Sequence, residues 1–302
     1  RAARPRRRAD AAAGRTGMRV GYLGPEGTFT QAAALSAPAA GEFELVAEET
    51  IHDTVLAVRD GEVERAVVPI ENSLEGSVNV TLDALVFEAD GVRIVGETVL
   101  GVEQCLIAQE QLPFEEIEVV ISHPQATAQC RDYIRANLPE ARVMTSSSTA
   151  EAVRLVTERI RHRWAAIGTR LAAQLYDCVV LEAGIEDVGG NQTRFVWLAP
   201  ADGEPGVPGL ALAPAAAWKT AIVFWGEGTE SPGWLVRCLS ELAFRGVNLT
   251  RIESRPLRER LGRYMFFADL DGRDSDAQVA DGLDALRAQV SVLRTLGSFP
   301  VA

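Results

Sequence analysis

Residues 67–79 read VVPIENSLEGSVN, and the change of pattern inside them sets the architecture. The apolar run VVPI stops at Glu71, Asn72 and Ser73, passes a glycine-relieved turn at Glu75-Gly76-Ser77, and becomes helix-like from about Asn79. Strand, polar loop and helix in succession are the unit of α/β domains. VGYLGPEGTFTQAA (20–33), VVISHPQATAQC (119–130) and AAIGTRLAAQLY (165–176) repeat that form, and GGNQTRFVWLA (189–199) follows them. Each junction aims unpaired backbone N–H groups and the positive end of a helix dipole into a crevice. Four such junctions suit a small anion. No Walker sequence is present, so a poly-carboxylate fits better than a nucleotide phosphate.

From that stretch in both directions, residues 18–199 alternate Val/Ile-rich runs with helix-like stretches. About 180 residues is large for one compact α/β layer, which predicts two lobes around a cleft. Lobe 1 is expected over about 18–96 and 189–199, and lobe 2 over about 97–188, with GVRIVGETVLGVEQCLIA (91–108) crossing between them. One helix is expected over 125–137. Residues 200–217 are rich in Pro, Gly and Ala and read as a linker. Beyond it, 218–300 reads strand, helix, strand, strand, helix, strand, the ferredoxin-like order.

The chain has 302 residues, 47% of them hydrophobic, and a net charge of −12. Residues 1–17 carry +5, which leaves −17 on the remainder. They read as a disordered basic tail ahead of Met18, which stands directly before the first strand as a natural start. An acidic body argues against nucleic acid, and no run of 18 apolar residues suggests a membrane span. Four cysteines without CxxC spacing and three histidines point to neither disulfides nor a metal, so a reducing cytoplasm is the default.

Several polar groups are candidates for a site, each with a plainer structural reading beside it. Glu71 and Asn72 fan from a strand end, whereas Ser77 suits a helix cap. Ser122-His123-Pro124-Gln125 is also ordinary helix-start chemistry, with Gln125 and Gln129 sharing one helical face. In Asn191-Gln192-Thr193-Arg194-Phe195, strand alternation puts Thr193 and Phe195 on one face and Arg194 on the other. A threonine beside an aromatic ring makes a catalytic corner; the same pattern also describes an edge strand with a surface arginine.

GPEGTFT (24–30), IENSLEGSV (70–78), SHPQATAQC (122–130), AAIGTRLAA (165–173) and NQTRF (191–195), in that order, closely resemble prephenate dehydratase. SPGWLVRCLSELAFRGVNLTRIESRP (231–256) resembles the ACT regulatory domain that usually accompanies it. The resemblance implies two α/β lobes like those of type II periplasmic binding proteins, and conversion of prephenate to phenylpyruvate, water and carbon dioxide without metal or organic cofactor. It also implies a homodimer or homotetramer with phenylalanine bound at ACT interfaces. Thr193, Asn72, Gln129 and Glu71 become the expected catalytic residues. Gly27, Thr28, Ser73, Ser122, His123, Gln125, Thr169, Arg194 and Phe195 become the expected substrate contacts. The effector pocket maps onto Gly233, Trp234, Leu235, Val236, Asn248, Leu249, Glu253 and Ser254, with Trp234 standing where relatives often carry alanine. Removing residues after about 215 is expected to leave activity and abolish the phenylalanine response. The competing expectation is an inactive cytoplasmic sensor of amino acids or carboxylates.

Overall fold

The computed structural model describes residues 17–158, 163–211, 216–226, 228 and 231–302, so the tail reading lies, but for Gly17, outside the described residues. Among the described residues the strands form three sheets. The first joins β1 (Met18–Leu23), β2 (Phe43–Glu48), β3 (Arg65–Asn72), the short β4 (Gly76–Ser77), β5 (Val92–Gly101) and β11 (Gln192–Pro200). The second joins β6 (Cys105–Ala108), β7 (Val119–Ser122), β8 (Arg142–Thr145), β9 (Trp164–Gly168) and β10 (Val179–Ala183). Helices flank both: α1 (Phe29–Leu35), α2 (Ile51–Arg59) and α3 (Asn79–Phe87) in lobe 1, and α4 (Pro124–Gln129), α5 (Arg131–Asn137), α6 (Thr149–Thr157) and α7 (Arg170–Leu175) in lobe 2. No helix of the described residues is long and apolar enough to cross a membrane.

The helix starts follow from the chain. Thr28, Thr50, Ser148 and Thr169 each cap a helix by accepting a backbone N–H, which satisfies a donor the first turn leaves orphaned. The single helix expected over 125–137 is two, broken at Cys130, whose backbone departs from helical angles. The crossing between lobes falls later than expected. β5 stays paired with β11 as far as Gly101↔Gln192, so residues 102–104 and 184–191 make the hinge. There Val102 donates to Asn191, and Gly184 and Ile185 both donate to the carbonyl of Gln104.

The C-terminal part is β12 (Trp218–Trp225), α8 (Trp234–Ala243), β13 (Leu249–Pro256), β14 (Tyr264–Asp271), α9 (Ala277–Arg287) and β15 (Val292–Pro300), in the antiparallel order β13-β14-β12-β15. One face of this sheet packs on α8 and α9 through Ile222, Phe224, Ala268 and Leu270. The other joins the core of lobe 1: Val223, Met265, Phe267, Leu296 and Phe299 pack with Ile70, Leu82, Leu85 and Ile94. Gly297 is required at this crossing, because a Cβ there would stand 2.0 Å from the Ile94 carbonyl oxygen. Nor is the segment 200–211 a free spacer, as its composition suggested. Val207 is buried beside Val95 and Trp197, which places this half of the linker against lobe 1.

Candidate active site

The strand end that opened the sequence reading pairs with the strand that closes the first sheet. Thr193 stands opposite Asn72 and Arg194 opposite Glu71, after which the register slips so that Phe195 faces Pro69 and Ile70 is the extra residue. Pro69 has no N–H to give the ladder, which accounts for the bulge beside it.

The Asn72 amide has its orientation fixed. Its Oδ1 accepts the backbone N–H groups of Leu74 and Glu75 at 3.0 and 3.1 Å, so its Nδ2 must face the other way. There it donates to Thr193 Oγ1 at 2.9 Å and to Asn191 Oδ1 at 2.8 Å, with the Gln192 carbonyl at 3.2 Å. Thr193 therefore receives a proton at its oxygen and keeps its own to give. Ser73 completes the frame: its Oγ donates to Asn191 Oδ1 at 3.3 Å and accepts from the Gln192 N–H at 2.9 Å.

Lobe 2 meets this frame across the cleft. Gln129, ending α4, donates through Nε2 to Glu75 Oε1 at 3.0 Å and accepts from Gln104 Nε2 at 3.2 Å. Thr169 Oγ1 donates to the Gly27 carbonyl at 2.6 Å, and the Tyr176 hydroxyl donates to the Glu26 carbonyl at 3.2 Å. Gly27 holds φ +90° with its missing Cβ only 2.8 Å from Ala172 Cβ, so any side chain there would pry the lobes apart.

Several sequence expectations need correction. Glu71 shares a sheet face with Arg194, not with Thr193. Its carboxylate lies 3.6 Å from Arg194 and 3.8 Å from Arg251 of the C-terminal domain, which takes it out of the catalytic set. Arg194 is held by Glu97 at 2.6 Å and Asp269 at 2.5 Å on that same face, so it does not reach the cleft as a substrate contact. Phe195 is buried in the core under α1 with Trp197 and Val20, where no ring of a substrate can meet it. Ser122 is fully buried and donates to the Ile167 carbonyl at 2.7 Å. Thr28 and Thr169 spend their hydroxyl protons on the Leu23 and Gly27 carbonyls. None of the three hydroxyls has a proton left for a carboxylate. His123 caps α4 by accepting the Gln125 N–H at Nδ1, and Gln125 itself is exposed in the first turn of that helix.

In the C-terminal domain, Trp234 turns inward. It packs against Phe224 and Phe266 and donates its indole N–H to the Gln289 carbonyl at 3.1 Å, so it neither fills nor lines a surface pocket. Glu253 faces lobe 1, accepting from Ser77 Oγ at 3.0 Å. Both leave the effector set. Gly233 (φ +75°) opens α8, Leu235 is half-buried, Val236 and Ser254 are exposed, Leu249 packs into the domain core, and Asn248 donates to Asp271.

Three residues of the site escaped the sequence reading. Asn191 stood inside a quoted motif, but its burial comes from the hinge crossing, which no local pattern reveals. Gln104 and Glu75 act through partners far along the chain. The thiols have no part: burial pushes Cys105 up to about 11 and Cys130 up to about 12, and the nearby Glu103 and Asp187 add to this. Among the described residues no group of three or more His, Cys, Asp or Glu side chains could hold a metal ion.

Comparison with known proteins bears on this geometry. The family model described as prephenate dehydratase matches residues 20–202. A prephenate dehydratase from Amycolatopsis methanolica is 40% identical over 283 residues, covering 93% of this chain and 88% of that one. The structure of prephenate dehydratase from Arthrobacter aurescens in complex with L-Phe superposes with a TM-score of 0.81 at 35% identity, covering 93% and 89% of the two chains. A structure described as a novel type of quorum quenching acylase superposes with a TM-score of 0.80 at 30% identity, covering 94% and 98%.

Proposed function

We infer the activity from membership: the chain belongs to the prephenate dehydratase family, and it converts prephenate to phenylpyruvate, water and carbon dioxide in phenylalanine biosynthesis. The observation that carries the mechanism is the Asn72–Thr193 hydrogen bond. As the ring carboxylate departs, its C–C bonding pair becomes a ring double bond and the C4–O bond breaks. The leaving oxygen departs as hydroxide, hydrogen-bonded to its donor, and takes the one proton that makes it water from solvent. A donor on that oxygen lowers the barrier only if it is oriented beforehand. Thr193 has that role, and the amide N–H donated into its oxygen strengthens it as a donor, because chained hydrogen bonds polarise one another. Gln129 supplies a second neutral donor from the opposite lobe. With the hydroxyls of Thr28, Thr169 and Ser122 engaged, and the Gly27 N–H given to Gln31 Oε1 at 2.6 Å, the first-turn backbone N–H groups of α1 and α7 hold the carboxylates. Ser73 remains at the cleft rim as a support for Asn191.

The C-terminal domain is read as an ACT domain that binds phenylalanine between copies of the chain, in the cytoplasm. In support, α8 leaves Val236 66% exposed, the residue that ends it, Phe244, is 85% exposed, and the edge strand β13 leaves Ile252 46% exposed. Such apolar area on a domain edge suits a symmetric partner. Gly233, Leu235, Val236, Asn248, Leu249 and Ser254 keep their place in the proposed pocket.

An acylase reading would require a base poised on a nucleophile. Thr193 and Ser73 are instead bonded to amides and backbone, which take no proton. Purified protein given prephenate should form phenylpyruvate, seen as enolate absorbance after alkali, and should respond to added phenylalanine. Prephenate left unconsumed by folded protein contradicts the assignment.

A further inference from the structure

The face of β11 turned away from the cleft carries a buried charge cluster that the reaction does not use. Glu97, almost wholly buried, accepts from Arg194 Nε at 2.6 Å and from Lys219 Nζ at 3.0 Å. Arg194 in turn holds Asp269, 3% exposed, at 2.5 Å. The backbone N–H of Ala302 adds a donor to Glu97 at 3.3 Å. Two of the four charges, Arg194 and Glu97, belong to lobe 1; the other two, Lys219 and Asp269, belong to the C-terminal domain. The quartet alternates in sign and sums to zero, and Glu71, 3.6 Å from Arg194, is itself balanced by Arg251 at 3.8 Å. Arg194 is the residue after Thr193, and the register slip in β11 follows it immediately.

A strand next to a bulge is set by whatever fixes its side chains, because one residue of slip would exchange the faces of Thr193 and Arg194. The ladder to β3 is interrupted at this point and resumes one residue out of step at Phe195↔Pro69, with Pro69 giving no N–H. The Arg194 guanidinium is the grip on the far face. Two of its carboxylate contacts come from different domains, and one of its own nitrogens, Nη2, is buried without a partner. The guanidinium is thus held through Nε and Nη1, by its charge-assisted hydrogen bonds to Glu97 and Asp269.

We propose that Asp269 of the C-terminal domain is a positioning residue for the reaction: by anchoring Arg194 it fixes the register of β11, and with it the aim of the Thr193 hydroxyl. The C-terminal domain is then part of the catalytic apparatus, and a ligand bound there reaches the cleft through Asp269. This rests on the reading of Thr193 given above. A second set of ion pairs on the same domain seam, Arg255 and Arg258 to Asp83 at 2.7 Å, touches α3 and not β11, and serves as the comparison.

In the full-length chain, Asp269→Asn should lower kcat at least about tenfold with KM for prephenate within about twofold, since sub-ångström misplacement of a reacting group acts on kcat. Asp83→Asn should keep kcat within about twofold of the parent even where it lowers the melting temperature as much. The pair Arg194→Met with Asp269→Leu leaves Glu97 and Lys219 balanced, so it folds if Asp269→Asn does not, and its kcat should stay depressed. Unchanged kcat in a folded Asp269→Asn or in the pair overturns the proposal, as does an equal loss in Asp83→Asn. If the parent fails to turn over prephenate, the activity assignment is what has failed. The proposal is then read from amide exchange over residues 192–198, faster in Asp269→Asn than in Asp83→Asn if it holds and equal in both if it does not.

Discussion

Two seams divide this molecule, and they are made of different chemistry. Between lobes 1 and 2 the contacts are few and polar: Thr169 to the Gly27 carbonyl, Tyr176 to the Glu26 carbonyl, and Gln129 to Glu75. Between lobe 1 and the C-terminal domain, a shared apolar core is ringed by ion pairs. Three hydrogen bonds, of which only the one from Thr169 is buried, contribute about 1 kcal/mol each, so the first seam opens at little cost. The second buries whole aromatic side chains, each of which contributes roughly 1.5–3 kcal/mol. The cleft is built to admit a ligand, and the domain seam to stay shut while it does.

The contrast breaks most visibly at Phe267, which is 1% exposed in the shared core. Phe267→Ala should destabilise the fold by about 3–5 kcal/mol, measured by denaturant unfolding. The same packing revises the expected result of truncation after about 215, which would leave Ile70, Leu82, Leu85 and Ile94 uncovered; the truncated chain should be destabilised or insoluble. A smaller effect is expected at the other seam. Glu75→Ala should lower kcat/KM about fivefold, the worth of one polar contact of about 1 kcal/mol, with unfolding midpoints unchanged. An unfolding loss like that of Phe267→Ala would erase the distinction.

The smallest effect is alkaline. Burial pushes the Cys105 and Cys238 thiols up to about 11 from an ordinary 9.0. Above pH 9 the unfolded chain therefore releases protons that the folded chain retains, and stability is lost as pH rises from about 9 to 11. Unfolding midpoints measured from pH 8 to 10 should fall; a rise over that window would contradict the burial of both thiols.

The sequence made the strand–loop–helix junctions legible, because these depend on residues within one turn of each other; the cap expected at Ser77 is not made, since Val78 precedes α3 without a side-chain cap bond and Ser77 Oγ donates to Glu253 instead. It also separated Thr193 from Arg194, since alternation is local. Alternation within β11 does not place Glu71, whose pairing with Arg194 depends on the register between β3 and β11. Arg194 itself finds its partners 97 and 75 residues away, in Glu97 and Asp269. The linker composition suggested a free spacer, and only the surface of lobe 1 around Val95 shows that Val207 has somewhere to be buried. The resemblance maps Trp234 into the effector pocket; that its indole is drawn inward depends on Phe224, Phe266 and the Gln289 carbonyl, on three other segments.

The claim under all of this is that the Thr193 hydroxyl, oriented by Asn72, donates to the oxygen that leaves. The most direct measurement is kcat on prephenate for Thr193→Ser beside Thr193→Ala. Serine keeps an oxygen to accept the Asn72 N–H and a proton to give, so it should retain at least about tenfold more turnover than alanine, which should fall at least about a hundredfold below the parent. Equal rates in the two folded variants would mean that the hydroxyl takes no part in the chemistry.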